Sequence, residues 1–295
     1  MSQANINPLP PSLPDQAYCE VSALEGGIIQ AVCHLYVTTA KEGEKYTAPS
    51  LAFLIIHAKT RAHLLFDLGV RHDLENYIDP VKQRVKLFSA QAPQDVSASL
   101  KKGGLRPEDI THVCLSHCHW DHVGNPALFS SARFIVGGES RTLFQPGYPD
   151  NPKSVFPANL LPEDRTDFLN TNDDTWKPIG PFPNAFDYFG DGSLYIVDAP
   201  GHLPGHMNIL ARTSPDGGWI YLAGDSAHDW RLLRGQGDIP DGHTEYNKEQ
   251  SAETMRRISE LMTLSRVRVI LTHDNEFYEE NKEGDAYWPG KIKSL

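Results

Sequence analysis

Leu115-Ser116-His117-Cys118-His119-Trp120-Asp121-His122 places three imidazoles and a carboxylate within six residues. An apolar run over residues 110–115 precedes them and Gly124-Asn125-Pro126 follows, which predicts a buried strand running into a tight loop. Such a loop aims His117 and His119 to one side and Asp121 with His122 to the other. Neutral imidazole nitrogen and carboxylate oxygen are the ligands that borderline divalent metals such as zinc prefer. A lone histidine on a loop would be an ordinary hydrogen-bonded residue, whereas four ligand-type side chains in six positions point to a metal. A catalytic metal also keeps an open position for water, and two metals can share one.

The same appearance recurs at other strand ends. Residues 194–198 lead into Ala199-Pro200-Gly201-His202-Leu203-Pro204-Gly205-His206, residues 219–222 into Ala223-Gly224-Asp225, and residues 267–271 into Thr272-His273-Asp274. Upstream, residues 63–68 end in Phe66-Asp67-Leu68-Gly69. A carboxylate there is either a turn cap or a group that orients a metal-bound imidazole from behind. The pattern is that of a sheet scaffold presenting loops at one edge. Spacing alone does not choose between His202 and His206.

His-x-His-x-Asp-His, followed in order by Pro-Gly-His-x-x-Gly-His, Gly-Asp and a late strand-end His, resembles the metallo-β-lactamase superfamily over residues 50–274. The resemblance implies an α/β fold, the αββα sandwich of two mixed β-sheets with helices on the outer faces. It implies two Zn²⁺ per subunit, other divalent metals being possible. His117, His119 and His202 resemble the ligands of one metal. Asp121, His122 and His273 resemble those of the other, and Asp225 resembles the carboxylate bridging both. His202 rather than His206 follows the family pattern, leaving His206 a supporting role. In the superfamily an Asp such as Asp67 often lies near the metals. His119 in place of an acidic residue looks like the zinc branches, and Asp225 in place of Cys looks like the lactonase and glyoxalase II branches. There is one departure: the acyl-homoserine-lactone lactonases carry Tyr three residues after the bridging Asp, where this chain has His228. That suggests a different partner for the carbonyl oxygen or leaving group.

The implied chemistry is opening of a lactone by a metal-bridging hydroxide that attacks the carbonyl, with Asp225 holding both metals. Two cations sharing a water lower its pKa to about neutrality, and one metal stabilises the oxyanion. Asp121 and His228 are the candidate acids for the leaving group. A lactam or cyclic carbamate is the next substrate class, then a thioester of the glyoxalase II type. A non-catalytic metal-binding protein on the same fold is the alternative outside enzymes.

Composition bounds these readings. The 295 residues carry 27 basic and 38 acidic side chains, a net charge of −11. Nucleic acid and anionic membrane surfaces reward clustered Lys and Arg, so this balance disfavours both, and the partner the resemblance implies is a small-molecule lactone or lactam. The chain reads as a monomer or homodimer without distinguishing them. No apolar run has the length of a membrane span, and residues 1–14 lack the pattern of a signal peptide. Cys19, Cys33, Cys114 and Cys118 form neither a disulfide framework nor a zinc spacing, which reads as reduced thiols of a cytoplasmic protein.

The expected organisation is a disordered or draped arm over 1–17 and a single domain over 18–295. Strands are expected at 18–23, 28–37, 50–56, 63–68, 110–115, 133–136, 194–198, 207–211, 219–222 and 267–271, and helices at 95–102, 125–129 and 247–264. Residues 41–48 read as a charged loop. Residues 145–190, dense in proline and aromatics, read as an irregular insertion over the site mouth that supplies an apolar wall. The charged tail after Tyr278 predicts nothing.

Overall fold

The computed structural model describes residues 7–241, 245–282 and 284–295. Two six-stranded sheets stack face to face. The first runs β1 (Cys19–Val32), β2 (Lys45–His57), β3 (His63–Phe66), β4 (His112–Cys114), β5 (Arg133–Gly137), β6 (Thr166–Leu169), in that spatial order. The second comprises β7 (Lys177–Ile179), β8 (Phe182–Asp187), β9 (Leu194–Asp198), β10 (Met207–Arg212), β11 (Trp219–Leu222) and β12 (Val267–Ile270). Both are mixed: β3 to β6 are parallel neighbours, as are β11 and β12, and the other pairs are antiparallel. The helices are α1 (Asp79–Leu87), α2 (Val96–Lys102), α3 (Trp120–Val123), α4 (Trp230–Leu233), α5 (Lys248–Leu261) and α6 (Asn275–Asn281).

The layering follows from the run Leu51-Ala52-Phe53-Leu54-Ile55-Ile56. A strand covered on both faces has no polar alternation. Its period of two sends Leu51, Phe53 and Ile55 between the sheets, against Ile196, Met207 and Ile209, among others. Ala52, Leu54 and Ile56 turn outward to meet Val96 and Leu100 of α2. On the second sheet, Val197, Leu210 and Tyr221 face outward against Met255, Ile258 and Leu261 of α5. This is the αββα sandwich. Side chains cap the helices: Asp95 accepts from Ala98 N at 2.9 Å and Asn247 from Gln250 N at 3.0 Å.

Several elements differ from the sequence expectation. The two strands expected at 18–23 and 28–37 are one strand, β1, with a bulge between Glu25 and Ile28 where Gly26-Gly27 absorbs the extra residue. It stops at Val32, because residues 33–35 turn into a 3₁₀ helix. The charged stretch 41–48 is strand from Lys45 on, since its ladder partner is the far end of β1. α1 was not foreseen. In the stretch expected to be irregular, residues 166–187 supply β6, β7 and β8. Pro178 sits in β7, an edge strand, where a missing N–H is tolerated. The tail forms α6 and then runs back beside β1, with Trp288 N donating to Ala23 O at 3.0 Å and Ile292 N to Val21 O at 2.8 Å. On the helical stripe of α5, Ala252 and Met262 are exposed, while Ser251 and Thr254 are buried toward the Pro200-Gly201 turn. At the other end, Leu9 packs on the second sheet, and the buried Arg212 guanidinium donates to Pro10 O at 2.9 Å.

Candidate metal centre

Five strand ends meet at one edge of the sandwich. β3 ends at Asp67, whose φ of 60° is the left-handed conformation that turns the chain sharply. Its carboxylate accepts from Ser116 N at 2.6 Å and Ser116 Oγ at 2.7 Å, and lies 2.8 Å from His122 Nδ1. The chain leaving β4 is thereby pinned to β3, and His122 presents Nε2 to the interior. His119 precedes α3, a single turn that carries Asp121 and His122. Tyr77 fixes the turn by donating its hydroxyl to Trp120 O at 2.8 Å.

The other ligand-type residues arrive from the second sheet. β9 delivers His202 through a turn at Gly201 (φ 134°), where a Cβ would collide with Ser251 N at 2.3 Å. β11 delivers Asp225 after Gly224 (φ 50°), where a Cβ would lie 2.9 Å from both His206 Nε2 and Ser116 Cβ. β12 delivers His273, whose Nδ1 is 2.8 Å from Pro49 O. That hydrogen bond fixes the tautomer and leaves Nε2 facing inward.

His117 Nε2 lies 2.9 Å from His119 Nδ1, which lies 3.0 Å from His202 Nε2. Asp225 Oδ2 is 3.2 Å from His122 Nε2, 3.6 Å from His202 Nε2 and 3.8 Å from His117 Nε2, and its Oδ1 is 3.5 Å from His273 Nε2. Asp121 Oδ2 approaches His273 Nε2 to 3.5 Å. The ligand atoms of His117, His119, His202 and Asp225 all lie within 4.8 Å of one another, as do those of Asp121, His122 and His273. All seven sequence-predicted residues are therefore brought together, and His202 also groups with His228 and Glu245. His206 is spent otherwise: Nδ1 contacts Ala199 O at 3.0 Å, and Nε2 accepts from Asp225 N at 3.2 Å.

A metal fits these atoms. His122 Nε2 and Asp225 Oδ1 are buried with no hydrogen-bond partner. A buried polar atom left alone costs about 1–3 kcal/mol, and a cation ligated by both removes that cost. Burial, reinforced by the neighbouring imidazoles, pushes the pKa of His117 and of His119 well below the usual value, so both rings are neutral donors. Burial also drives His206 down to about 3. For His122 burial acts in the same direction, but the charges of Asp225 and Asp67 outweigh it and raise the pKa. Burial would raise Asp225, yet the imidazoles of His122, His273 and His228 hold it well below the carboxylate range.

His228 stands beside the centre. Its Nε2 is 3.1 Å from Asp225 Oδ2, and its ring stacks on Tyr36 at 4.7 Å between centroids. Burial disfavours its charge, but Asp225 and then Glu245 overcome this and raise its pKa. Glu245 was missed by the sequence reading. It places Oε2 3.4 Å from His202 Nδ1 and Oε1 3.6 Å from His228 Nδ1, and accepts from Ser251 Oγ at 2.6 Å. Its pKa falls to about 2, because the two imidazoles and Ser251 outweigh its burial. No spacing marks it, and it comes from the connection before α5. Tyr36 was missed for the same reason. Phe156, from the proline-rich stretch, stacks over His119 at 6.0 Å.

A cavity of about 360 Å³ opens onto the centre, walled by Tyr36, Phe88 and Trp120 and reaching Asp121, Asp225 and His228. A second cavity, of about 270 Å³, lies beyond Trp120 against Val81, Val155 and Leu160, and carries none of the histidines or carboxylates.

Residues 48–273 match the Metallo-beta-lactamase superfamily. The chain belongs to that superfamily. It is 33% identical to mpaDE' of Penicillium brevicompactum, a monooxygenase by name, over 96% of its own length and 36% of that protein. It is 35% identical to the gamma-lactamase FDB1 of Fusarium pseudograminearum, over 63% of this chain and 46% of that one. The chain thus spans about a third to a half of the length of these relatives. AttM of Azorhizobium caulinodans, an N-acyl homoserine lactonase, is 27% identical over 90% of this chain and 97% of its own. Among solved structures, an N-acyl homoserine lactone hydrolase with product at its catalytic metal centre superposes with a TM-score of 0.70, at 15% identity, over 93% of this chain and 99% of that one.

Proposed function

We propose that this chain is a dinuclear metal hydrolase that opens a lactone. The observation that carries the reading is the convergence of seven ligand atoms into two adjoining groups, with Asp225 reaching both. His117, His119 and His202 would hold one Zn²⁺, Asp121, His122 and His273 the other, and Asp225 would bridge them. Bound there, the metals supply a water acidic enough to attack at neutral pH and a Lewis acid for the carbonyl oxygen.

The protein's own groups do the rest. Asp67 and Pro49 O orient His122 and His273. Trp120, Tyr36 and Phe88 form apolar walls against which a substrate ring packs. Asp121 is engaged with His273, whereas His228 lies outside the seven ligands, with a carboxylate near each ring nitrogen. That placement favours His228 Nε2 as the atom that returns a proton to the leaving group.

The same proton favours a second reading, opening of a lactam, because an amine leaves poorly unless protonated. The gamma-lactamase relative points the same way. The four cysteines are unpaired and buried, which supports a reducing, cytoplasmic setting. Among the described residues no helix is long and apolar enough to cross a membrane.

The test is metal analysis of the purified protein beside a panel of lactones and lactams. Two zinc equivalents and lactone turnover, lost on chelation and restored by zinc, are expected. Asp225→Ala should lose at least one metal and lower kcat by at least about a hundredfold. Turnover that survives complete metal removal refutes the reading.

A further inference from the structure

We propose that the substrate carries an anionic group on an apolar body, and that Arg84 at the lip of the cavity binds that group. This rests on the hydrolase reading above and names its substrate class.

Arg84 and Leu87 lie one turn apart on the exposed side of α1, and both line the cavity that opens onto the metal-ligand cluster. Arg84 is the sole Lys or Arg among the described residues of that lining. Two of the cations nearby are paired, and Lys86, which is exposed on the same helix, lies outside the cavity lining. Arg71 grips Asp73 through two hydrogen bonds, of 2.7 and 2.9 Å, and Lys82 reaches Asp79 at 3.3 Å. No described residue gives the Arg84 guanidinium an ion pair or a hydrogen bond, in a chain whose acidic residues outnumber its basic ones by 38 to 27. What distinguishes Arg84 is its place: an unpaired guanidinium in the lining of the cavity that opens onto the metal-ligand cluster is free for a ligand there.

The rest of the lip is apolar. Leu87 is 61% exposed, and Ile29 and Phe88 line the same cavity. An exposed leucine needs no explanation alone. Beside an unpaired guanidinium at a cavity mouth, it forms a surface for a molecule with an apolar ring and a carboxylate. The scissile carbonyl would face His119, Asp225 and His228 on the cavity floor, and the anion would sit at Arg84.

The probes are γ-(4-carboxyphenyl)-γ-butyrolactone and its methyl ester, which differ in charge while keeping ring and scissile bond. Binding to the zinc-loaded protein is measured by calorimetry, or as KM where the probe turns over. An Arg–carboxylate pair at a partly exposed site predicts that Arg84→Gln weakens the carboxylate about three- to tenfold. The ester should change less than twofold, and kcat on either probe should stay constant. Arg84→Lys should retain part of the preference, and Lys86→Gln, which removes an equal charge from α1 outside the cavity lining, should change neither probe. The difference should shrink in 0.5 M salt (about a 4 Å Debye length). Equal weakening of both probes, equal binding by Arg84→Gln and wild type, or a wild type that does not favour the carboxylate overturns the proposal. Discrimination without ring opening upholds Arg84 and sinks the hydrolase reading; ring opening without discrimination does the reverse.

Discussion

Two carboxylates support the candidate metal ligands from behind, one on each flank, and they are built differently. Asp67 belongs to the first sheet. It is fully buried at the end of β3 and makes three contacts of 2.6–2.8 Å, to Ser116 N, Ser116 Oγ and His122 Nδ1. Glu245 belongs to a connection on the second sheet. Its approaches to His202 and His228, 3.4 and 3.6 Å, are longer than good hydrogen bonds, and one strong bond from Ser251 holds it. The first flank is therefore part of the scaffold. The second is tied to the Gly201 turn through Tyr246 N→His202 O at 3.1 Å and Asn247 N→Gly201 O at 2.8 Å. Rigidity on one side and looser contact on the other suits the proposed site, in which His122 would stay fixed while His228 would hand a proton to substrate.

The largest effect expected from this contrast is at Asp67. Asp67→Ala strands the Ser116 amide and the charged side of His122 in a fully buried place. Removing one member of a buried pair costs about 3–5 kcal/mol. Urea unfolding of the metal-free protein should show a lower midpoint with an unchanged slope. A loss below 1 kcal/mol would mean that Asp67 is not part of the scaffold.

The contrast also explains what could be read from the sequence. Asp67, His117, His119, Asp121, His122, His202, Asp225 and His273 each follow an apolar strand closely, so strand periodicity locates them. The central strands were legible for the same reason: Phe53 and Ile55 must be covered, and so must Leu54 and Ile56. Glu245 and Tyr36 sit in connections whose path depends on distant packing, and nothing local marks them. β6, β7 and β8 were hidden because they are short and near sheet edges, with few apolar residues of their own. Their partners, β5 and β9, supply the reason that they form. The Gly26-Gly27 break misled because a bulge and a turn carry the same glycine signature.

The second flank holds another carboxylate, the half-buried Asp198, just before the His202 turn. Burial raises its pKa to about 6, beyond what the Asn184 hydrogen bond and Arg257 pull back. An unfolded Asp titrates at about 3.9. Below pH ~4 both states are protonated and the group contributes no pH dependence. Between pH ~4 and ~6 the native state keeps a proton that the unfolded state has lost, so stability falls as pH rises and stays low above. A shift of about two units corresponds to at most ~3 kcal/mol. Asp198→Asn should remove that slope, stabilising the protein by about 2 kcal/mol at pH 8 and by little at pH 4. Equal effects at both pH values would place the cause in packing rather than charge.

Glu245→Gln gives the smallest effect and discriminates most directly between the flanks. The amide oxygen can still accept from Ser251, so the fold should hold within about 1 kcal/mol in the metal-free protein. What disappears is the negative charge behind His202 Nδ1, which makes that imidazole a better donor through Nε2. Outer partners of this kind alter metal affinity by about 10- to 100-fold. At 3.4 Å, rather than the 2.8 Å of the Asp67–His122 contact, the lower end is expected. Zinc competition with a chelator should therefore show about tenfold weaker retention of one metal equivalent and no change in the other, because Asp67 still supports His122. Loss of both equivalents together would make the two flanks one cooperative unit. Retention of both at wild-type strength would leave Glu245 a partner of His228 alone, and the variant should then be defective in leaving-group protonation, with a deficit greater on lactams than on lactones.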